Sequence, residues 1–350
     1  MASSVATLFE TEIREQPEAL ARLLREGSAT AERIADGVRR KAPRFAVLAA
    51  RGSSDNAACY GQYLLGIENG LIAALATPSL FTQYHATPSL GDALVVGISQ
   101  SGQSPDIVAV VREGRRQGAV TVAITNEPAS PLAAAAEHVL ALLAGPERAV
   151  AATKTYTTQV LALAMLSAAL RGDEQRWLEL RRIPDLVREA IDRNANRLAL
   201  AAPFRDEERL VVLGRGYNFA TALEVALKVK ETSGILADGY SSADFHHGPK
   251  ALLEARIPVL VVAPGPRTFD DLDGIVGLAR ERKVPLVAIT DREELLKQAD
   301  VGLPLPPGVP EWLSPLVAAI PGQLWALGLS LARGMQPDAP PGLSKITHTR

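Results

Sequence analysis

Short apolar runs alternate with longer amphipathic stretches along most of the chain. The runs 44–50, 93–98 and 119–125 are almost continuously apolar, which is typical of strands buried on both faces. Between the last two runs, residues 107–117 have the apolar spacing of a helix and are followed by Gly118, a common helix stop. This strand–helix–strand order predicts parallel pairing through right-handed crossovers, and therefore an α/β fold.

The second half of the chain repeats this pattern. Residues 210–216 match residues 46–52, and residues 285–291 match residues 120–126, both at an offset of about 165 residues. Nearly constant offsets favour two copies of one fold. We therefore predict α/β architecture with two tandem parallel-sheet αβα sandwiches.

The remaining segments flank or join the two copies. Pro17 interrupts an amphipathic stretch, 10–25, and suits the first turn of a new helix. Three prolines near the start of residues 336–350 exclude a regular helix there. The predicted regions are an N-terminal helical segment (1–43), a first α/β domain (44–172), a linker helix (173–200), a second α/β domain (201–335) and an irregular C-terminal tail (336–350).

Composition narrows the class of protein. Among 350 residues, 47% are hydrophobic and 22% are charged, which excludes a disordered chain. The chain has 37 lysine and arginine residues and 39 acidic residues. Because it has no excess of basic residues, we do not expect a nucleic-acid partner. The single cysteine, Cys59, excludes an internal disulfide framework and a cysteine-rich metal site.

Targeting and membrane signals are not expected either. The first residues carry acids early and lack a basic region followed by an apolar core, so they do not resemble an export signal. The longest apolar stretch, 160–170, is too short to cross a bilayer. We expect a cytoplasmic protein without a membrane partner.

The segment 98–106, Ile-Ser-Gln-Ser-Gly-Gln-Ser-Pro-Asp, lies between a predicted buried strand and a helix. Ligands of open parallel sheets collect at this edge, where the next helix offers free N–H groups and a positive dipole end. The segment has no lysine, so a small phosphomonoester fits it better than a nucleotide triphosphate. A capped helix start without ligand is the alternative. In the second copy, Pro264–Arg267 stands in place of Ser99–Gly102, so only the first copy keeps these hydroxyls.

The second copy has a different set of candidate residues. Lys228 and Glu231 share one face of a predicted helix, either as functional groups or as a solvated salt bridge. His246 and His247 lie in a loop bounded by Gly and Pro, as acid/base groups or, less favourably, as metal ligands. Lys345, in the tail, is either a solvent-exposed lysine or an amine that reacts with a carbonyl once desolvated.

Taken together, these motifs resemble the sugar isomerase (SIS) family, and specifically the isomerase portion of glucosamine-6-phosphate synthase and its stand-alone relatives. The resemblance covers nearly the whole chain. It rests on the ordered motifs at 12–17, 51–54, 99–102, 152–159, 226–231, 247–249 and 343–345. It implies flavodoxin-like domains, no cofactor, no metal, and a homodimer whose active site takes its histidine across the interface.

The resemblance also implies roles for individual residues. Glu231 would move a proton between C1 and C2 of the sugar, His247 would open the ring, and Lys345 would engage the carbonyl of the open chain. Lys228 belongs to the same catalytic set. The residues implied to bind the phosphate or line the sugar site are Ser54, Ser99, Gln100, Ser101, Ser104, Glu147 and Val150.

The chain departs from the synthase in ways that change the expected reaction. No glutaminase motif is recognisable in these 350 residues, and we therefore expect that only free ammonia is used or released. Asp244 and His246 replace the acid and lysine expected before His-Gly-Pro, Gln103 replaces an acid beside the phosphate loop, and the end reads Ile-Thr-His-Thr-Arg. We therefore expect a deaminase/isomerase that converts an amino-sugar phosphate, such as glucosamine 6-phosphate, to fructose 6-phosphate and ammonia. The alternatives are a fructosamine-phosphate deglycase, a plain aldose–ketose phosphate isomerase, and a non-catalytic sugar-phosphate sensor.

Overall fold

The computed structural model describes residues 6–267 and 269–345. Within them, the strands form two sheets of five strands each, and every paired strand is parallel. The strands of the first sheet are β1 (Phe45–Ala49), β2 (Ala73–Leu75), β3 (Ala93–Ser99), β4 (Val120–Thr125) and β5 (His138–Ala141). Those of the second are β6 (Arg209–Gly214), β7 (Leu236–Ser241), β8 (Val259–Val262), β9 (Leu286–Thr290) and β10 (Val301–Pro304).

Both sheets have the same strand order. The first runs β2-β1-β3-β4-β5 and the second runs β7-β6-β8-β9-β10. In each sheet the second strand lies on one side of the first strand, and the third, fourth and fifth strands lie on its other side. This is the flavodoxin-like order 2-1-3-4-5. The predicted duplication and α/β class are therefore confirmed. Strands β3, β4, β8 and β9 are buried along their whole length, because helices cover both faces of a parallel sheet.

Helices connect these strands and also precede and follow them along the chain. In the first half they are α1 (Leu8–Arg14), α2 (Gln16–Lys41), α3 (Ser53–Asn69), α4 (Ser79–Thr82), α5 (Pro105–Arg116), α6 (Pro131–Ala135) and α7 (Lys154–Arg171). In the second half they are α8 (Glu174–Arg181), α9 (Ile183–Asn194), α10 (Phe219–Ser233), α11 (Ser242–His246), α12 (Phe269–Glu281), α13 (Glu293–Gln298) and α14 (Ser314–Ala332). Pro17 is the second residue of α2, which agrees with the prediction that it lies in the first turn of a new helix.

The chain forms two compact units, each built from segments that are not consecutive in the sequence. The first unit contains residues 18–147 and 154–184, and the second contains residues 6–17, 148–153 and 185–345 apart from residue 268. The predicted linker region, 173–200, contains α8, α9 and the first part of a 3₁₀ segment, Ala195–Phe204. The tail is irregular over its described part, 336–345, and its last residues, 346–350, lie outside the described residues.

Helix α14 is the most apolar helix of the second unit. With the turn before it, Glu311–Ala332 is long and apolar enough to cross a membrane by length and composition, so the prediction that residues 160–170 are the longest apolar stretch is wrong. Nearly all of this helix is buried inside the protein. It packs along α10, where the Thr232 hydroxyl contacts the Ala326 carbonyl at 3.3 Å. A core helix satisfies the same composition because it has no solvent-facing side.

Candidate functional site

In the first unit, two helices begin beside each other at the carboxyl edge of the sheet. Strands β1 and β3 are neighbours, with Ala49 opposite Gly97, and the chain leaves them in opposite directions to α3 and α5. This is the topological switch point, where open parallel sheets bind ligands. Because α3 and α5 both start here, their unsatisfied N–H groups and positive dipole ends lie on this edge.

The loop between β3 and α5 holds its serine oxygens as hydrogen-bond acceptors. Ser99 Oγ accepts from the Gly102 N–H at 3.1 Å, and Ser101 Oγ accepts from the Gln103 N–H at 3.3 Å. Each hydroxyl proton can therefore be donated to a ligand. The Gln100 carbonyl accepts from the Asn126 N–H at 3.1 Å, which ties the loop to the end of β4.

Gly102 gives this loop its shape. Its φ of 62° is left-handed, and a Cβ at this position would lie 2.1 Å from Ser130 Oγ. Only glycine satisfies both conditions. Ser104 occupies the N-cap of α5, but its side chain makes no capping hydrogen bond. The capped-helix alternative therefore does not account for this hydroxyl, and phosphate binding by the loop stays a prediction.

The turn between β1 and α3 faces the same switch point. Ser54, in the first turn of α3, is 8% exposed, and its hydroxyl accepts from Gln159 Nε2 at 2.9 Å. Arg51 Nε donates to Asp106 Oδ2 at 2.9 Å, and the Arg51 side chain is half exposed while Asp106 is buried. This ion pair places a guanidinium next to the first turn of α5.

Three residues of this first-unit site were missed by the sequence analysis: Arg51, Asp106 and Gln159. All three lie in or beside motifs that carried the resemblance, and the sequence signal was therefore present. Their roles depend on side-chain contacts across 55 and 105 residues of chain, which spacing does not reveal. Glu147 is buried in the same unit, where it accepts from the Thr155 N–H at 3.0 Å and from the Thr155 hydroxyl at 2.6 Å.

In the second unit, α10 carries a buried charge cluster. Lys228 is fully buried, and its Nζ lies 3.5 Å from Glu224 Oε1, one turn earlier on the helix. The same ammonium contacts the carboxylate of Glu231, whose side chain is 23% exposed. The solvated-salt-bridge interpretation is wrong for Lys228, because neither Lys228 nor Glu224 reaches solvent. Glu224 was also missed, although its spacing from Lys228 could have indicated it.

His247 follows α11 in an exposed turn. Its N–H donates to the Asp244 carbonyl at 3.0 Å, and Gly248 follows with φ 133°. His246 is half-buried, with Nε2 3.6 Å from Asp271 Oδ1. The two adjacent histidines therefore differ in environment. Within the part of the chain that the structure describes, no group of three or more His, Cys, Asp or Glu side chains could hold a metal ion.

The tail and the segment 148–153 meet in the second unit. Lys345 Nζ donates to the Ala149 carbonyl at 2.8 Å, and the Val150 N–H donates to the Asp338 carbonyl at 3.0 Å. The Asp338 carboxylate in turn accepts from two N–H groups at the start of α1. The interpretation of Lys345 as a solvent-exposed terminal lysine does not hold, because its amine is part-buried and hydrogen-bonded.

The second unit brings some of the candidate residues together and separates others. Helix α10 runs from the carboxyl edge of the sheet to the amino edge, and Glu231 is near its last residue, Ser233. His247 instead follows the carboxyl end of β7. A six-residue strand spans about 20 Å, so Glu231 and His247 of one chain lie at opposite edges of the sheet.

The chain resembles several known proteins over most of its length. It is 36% identical over 309 residues to the glutamine–fructose-6-phosphate aminotransferase [isomerizing] of Thermococcus kodakarensis, and the match covers 85% of this chain and 51% of that protein. The chain thus spans about half the length of the relative it matches.

Solved structures give the same picture. The C-terminal domain of glucosamine-fructose-6-phosphate aminotransferase from Francisella tularensis superposes with a TM-score of 0.86 at 27% identity, covering 97% of this chain and 100% of that one. Tagatose-6-phosphate ketose/aldose isomerase from Escherichia coli superposes with a TM-score of 0.83 at 25% identity, covering 99% and 98%. The model of the SIS domain matches residues 40–169 and 203–333, one match for each sheet. The chain therefore belongs to the SIS domain family and contains two copies of that domain.

Proposed function

We propose that this chain is a phosphosugar isomerase that releases ammonia from an amino-sugar phosphate, with glucosamine 6-phosphate as the first substrate to test. The observation that carries the proposal is the part-exposed carboxylate of Glu231 beside the buried ammonium of Lys228. A positioned carboxylate can take a proton from one carbon and return it to the next, and the buried ammonium of Lys228 holds the Glu231 carboxylate in place. The proposed setting is cytoplasmic.

The reaction balances without a cofactor. Glu231 takes the proton from C2 of the open-chain aldose while the C1 carbonyl oxygen gains a proton, which gives an enolamine. The same carboxyl group then delivers its proton to C1 as the nitrogen loses one, so that C1 becomes a CH2OH group and C2 becomes an imine. Water then adds to the imine carbon, and the C–N bond breaks with transfer of protons to nitrogen. The products are fructose 6-phosphate and ammonia.

The phosphate group would be held by the first unit. Ser54, Ser99, Ser101 and Ser104 lie on the turns at the starts of α3 and α5, and Gln100 fixes the loop between them. These groups are neutral donors at two helix N-termini, an arrangement that favours a dianion. A phosphate bound away from the reacting carbons would position them for proton transfer.

Ring opening by His247 would require a second copy of the chain. Glu231 and His247 of one chain lie at opposite edges of the sheet, so we propose a homodimer in which the partner's histidine serves the site of Glu231. Lys345, Glu147 and Val150 are proposed to contact the sugar, with Lys345 engaging its carbonyl. An equal mixture of inactive Glu231→Gln and inactive His247→Asn proteins should regain activity through mixed dimers, and no recovery would contradict the shared site.

The test of the reaction is ammonia release from glucosamine 6-phosphate by the purified protein, with Glu231→Gln as the matched control. The proposal predicts ammonia and fructose 6-phosphate in equal amounts. Absence of ammonia with this and other 2-amino-sugar phosphates would remove it.

A plain aldose–ketose phosphate isomerase is the second candidate. The similarity to tagatose-6-phosphate ketose/aldose isomerase supports it. The same protein would then interconvert aldose and ketose phosphates without releasing ammonia. Deuterium uptake from solvent at C1 or C2 of a non-amino sugar phosphate would distinguish it.

A further inference from the structure

Helix α7 places a buried amide against Ser54. Gln159 is 1% exposed, and its Nε2 lies 2.9 Å from Ser54 Oγ. Ser54 is itself nearly buried, in the first turn of α3. Both residues belong to the first unit, and 105 residues of chain separate them. The contact therefore joins a core helix to a residue of the proposed phosphate site.

The direction of this hydrogen bond determines what Ser54 can offer a ligand. A hydroxyl has one proton and accepts through its oxygen. When the Gln159 amide donates to Ser54 Oγ, the hydroxyl proton stays available for another acceptor. A phosphate dianion is such an acceptor, and it has no proton to give. Rotating the amide by half a turn would present its oxygen to Ser54 and take up that proton.

The other serines of the loop are held in the same way by the backbone. Ser99 and Ser101 accept from N–H groups of Gly102 and Gln103. Gln159 donates an N–H hydrogen bond to the Ser54 oxygen, as main-chain N–H groups do to the oxygens of Ser99 and Ser101. Three hydroxyls of one proposed site therefore have their oxygens engaged by N–H donors, which leaves the protons for a ligand.

The rest of the Gln159 amide supports a role beyond packing. Gln159 Oε1 is buried and has no hydrogen-bond partner among the described residues. A buried amide oxygen without a partner is unfavourable, so core packing alone would favour an apolar side chain here. The donor on the other side of the amide explains why a polar residue occupies the position.

We propose that Gln159 is a positioning residue that orients the Ser54 hydroxyl as a donor to the substrate phosphate. The inference rests on the proposed function for the location of the phosphate, and it adds the residue that sets the polarity of the site. Gln159 acts through Ser54 and touches no reacting atom.

The test replaces the amide with groups of nearly equal shape. Gln159→Glu substitutes an acceptor for the donor, so it should capture the Ser54 proton and weaken binding of inorganic phosphate at least tenfold. Gln159→Met removes the donor without adding an acceptor, and should weaken binding less. Gln62→Glu is the control, because Gln62 lies on the same helix as Ser54 and contacts the Ala73 carbonyl instead. Binding is measured by calorimetry at one pH, beside melting temperatures for each variant.

A double-mutant cycle separates positioning from structural damage. Ser54→Ala combined with Gln159→Met should bind phosphate no more weakly than Ser54→Ala alone, because the amide acts only through that hydroxyl. Additive losses, or wild-type affinity in a folded Gln159→Glu protein, would overturn the proposal. If Gln159→Glu does not fold, the methionine cycle gives the answer by itself.

Failure of this inference is distinguishable from failure of the proposed reaction. If the Gln159 variants lose phosphate affinity as predicted but no ammonia is released, the deaminase proposal is wrong and the positioning role of Gln159 stands. If ammonia is released but substitutions of Gln159 do not change the phosphate affinity, the positioning role is wrong and the deaminase proposal stands. A wild-type protein that binds no inorganic phosphate overturns the positioning role, whereas the proposed reaction is overturned only by the absence of ammonia.

Discussion

The ammonium nitrogen of Lys228 lies 3.5 Å from a carboxylate oxygen of Glu224, one helical turn earlier, and neither side chain is more than 1% exposed. A second carboxylate, that of Glu231, contacts the same nitrogen from the helix surface. Lys228 thus connects a core carboxylate to the proposed proton-transfer group, and the first prediction concerns its removal.

Replacing Lys228 with methionine should destabilise the fold and abolish activity. The substitution leaves two carboxylates without their shared cation, and breaking a buried pair in this way costs about 3–5 kcal/mol. Urea unfolding measures the stability, and ammonia release measures the activity. The control is Lys297→Met, whose i,i+4 partner Glu293 is solvent-exposed and whose loss should change neither quantity. Equal effects of the two substitutions would contradict a special role for the buried pair.

Glu231→Gln should lower kcat by about 10²–10⁴-fold, the usual contribution of a positioned general base. The KM for the sugar phosphate should change little, because the phosphate is bound by other residues. Exchange of the C1 and C2 protons with deuterated solvent should be lost in parallel with turnover. A variant that still exchanges these protons would show that another group is the base.

Gly102→Ala should abolish phosphate binding. The added Cβ would collide with Ser130 and would require a left-handed φ of 62°. Gly70→Ala is a matched control, because its φ of 65° is similar but nothing lies within 4 Å of its added Cβ. We expect the control to lose about 1–2 kcal/mol from backbone strain and to keep its phosphate affinity. Thermal unfolding and calorimetry measure the two effects.

Arg51→Gln should weaken phosphate binding, and the difference from wild type should shrink as salt is added, because screening weakens a charge interaction. The control is Arg116→Gln, which removes an exposed charge at the other end of α5. If both variants lose affinity equally, Arg51 contributes only to the overall charge of the protein. Melting temperatures check whether Asp106 tolerates the loss of its partner.

Cys59 should make stability depend on pH in the alkaline range. Burial, reinforced by the negative charge of Asp55, raises the pKa of this thiol from 9.0 to about 12. Because the folded pKa is the higher one, the stabilising contribution is complete below pH 9 and is lost as the pH rises from 9 to 12. The unfolding free energy of wild type, measured against that of Cys59→Ala, should decline across that range and stay parallel below it. A thiol reagent should react slowly with the native protein at pH 8 and fast after denaturation.

The sequence by itself determined the architecture. Apolar runs of strand length separated by amphipathic helices determine a parallel α/β sheet, because only helices on both faces can bury such strands. The repeated segments determined that there are two such sheets. The serine loop after β3 could be placed at a ligand-binding edge for the same reason, since strand order and chain direction fix which edge a loop occupies.

Only the tertiary structure decided which side chains act together. From the sequence, Lys228 and Glu231 could equally be a surface ion pair, and only the structure shows that Glu224 and Lys228 are buried. The contacts of Gln159 with Ser54 and of Arg51 with Asp106 join residues that are distant along the chain. The separation of Glu231 from His247 follows from the direction of α10 across its sheet. The periodicity of apolar residues indicates which face of a helix or strand is buried. The pairing of donors, acceptors and charges depends instead on how the elements pack against each other, and this packing exists only in the folded chain.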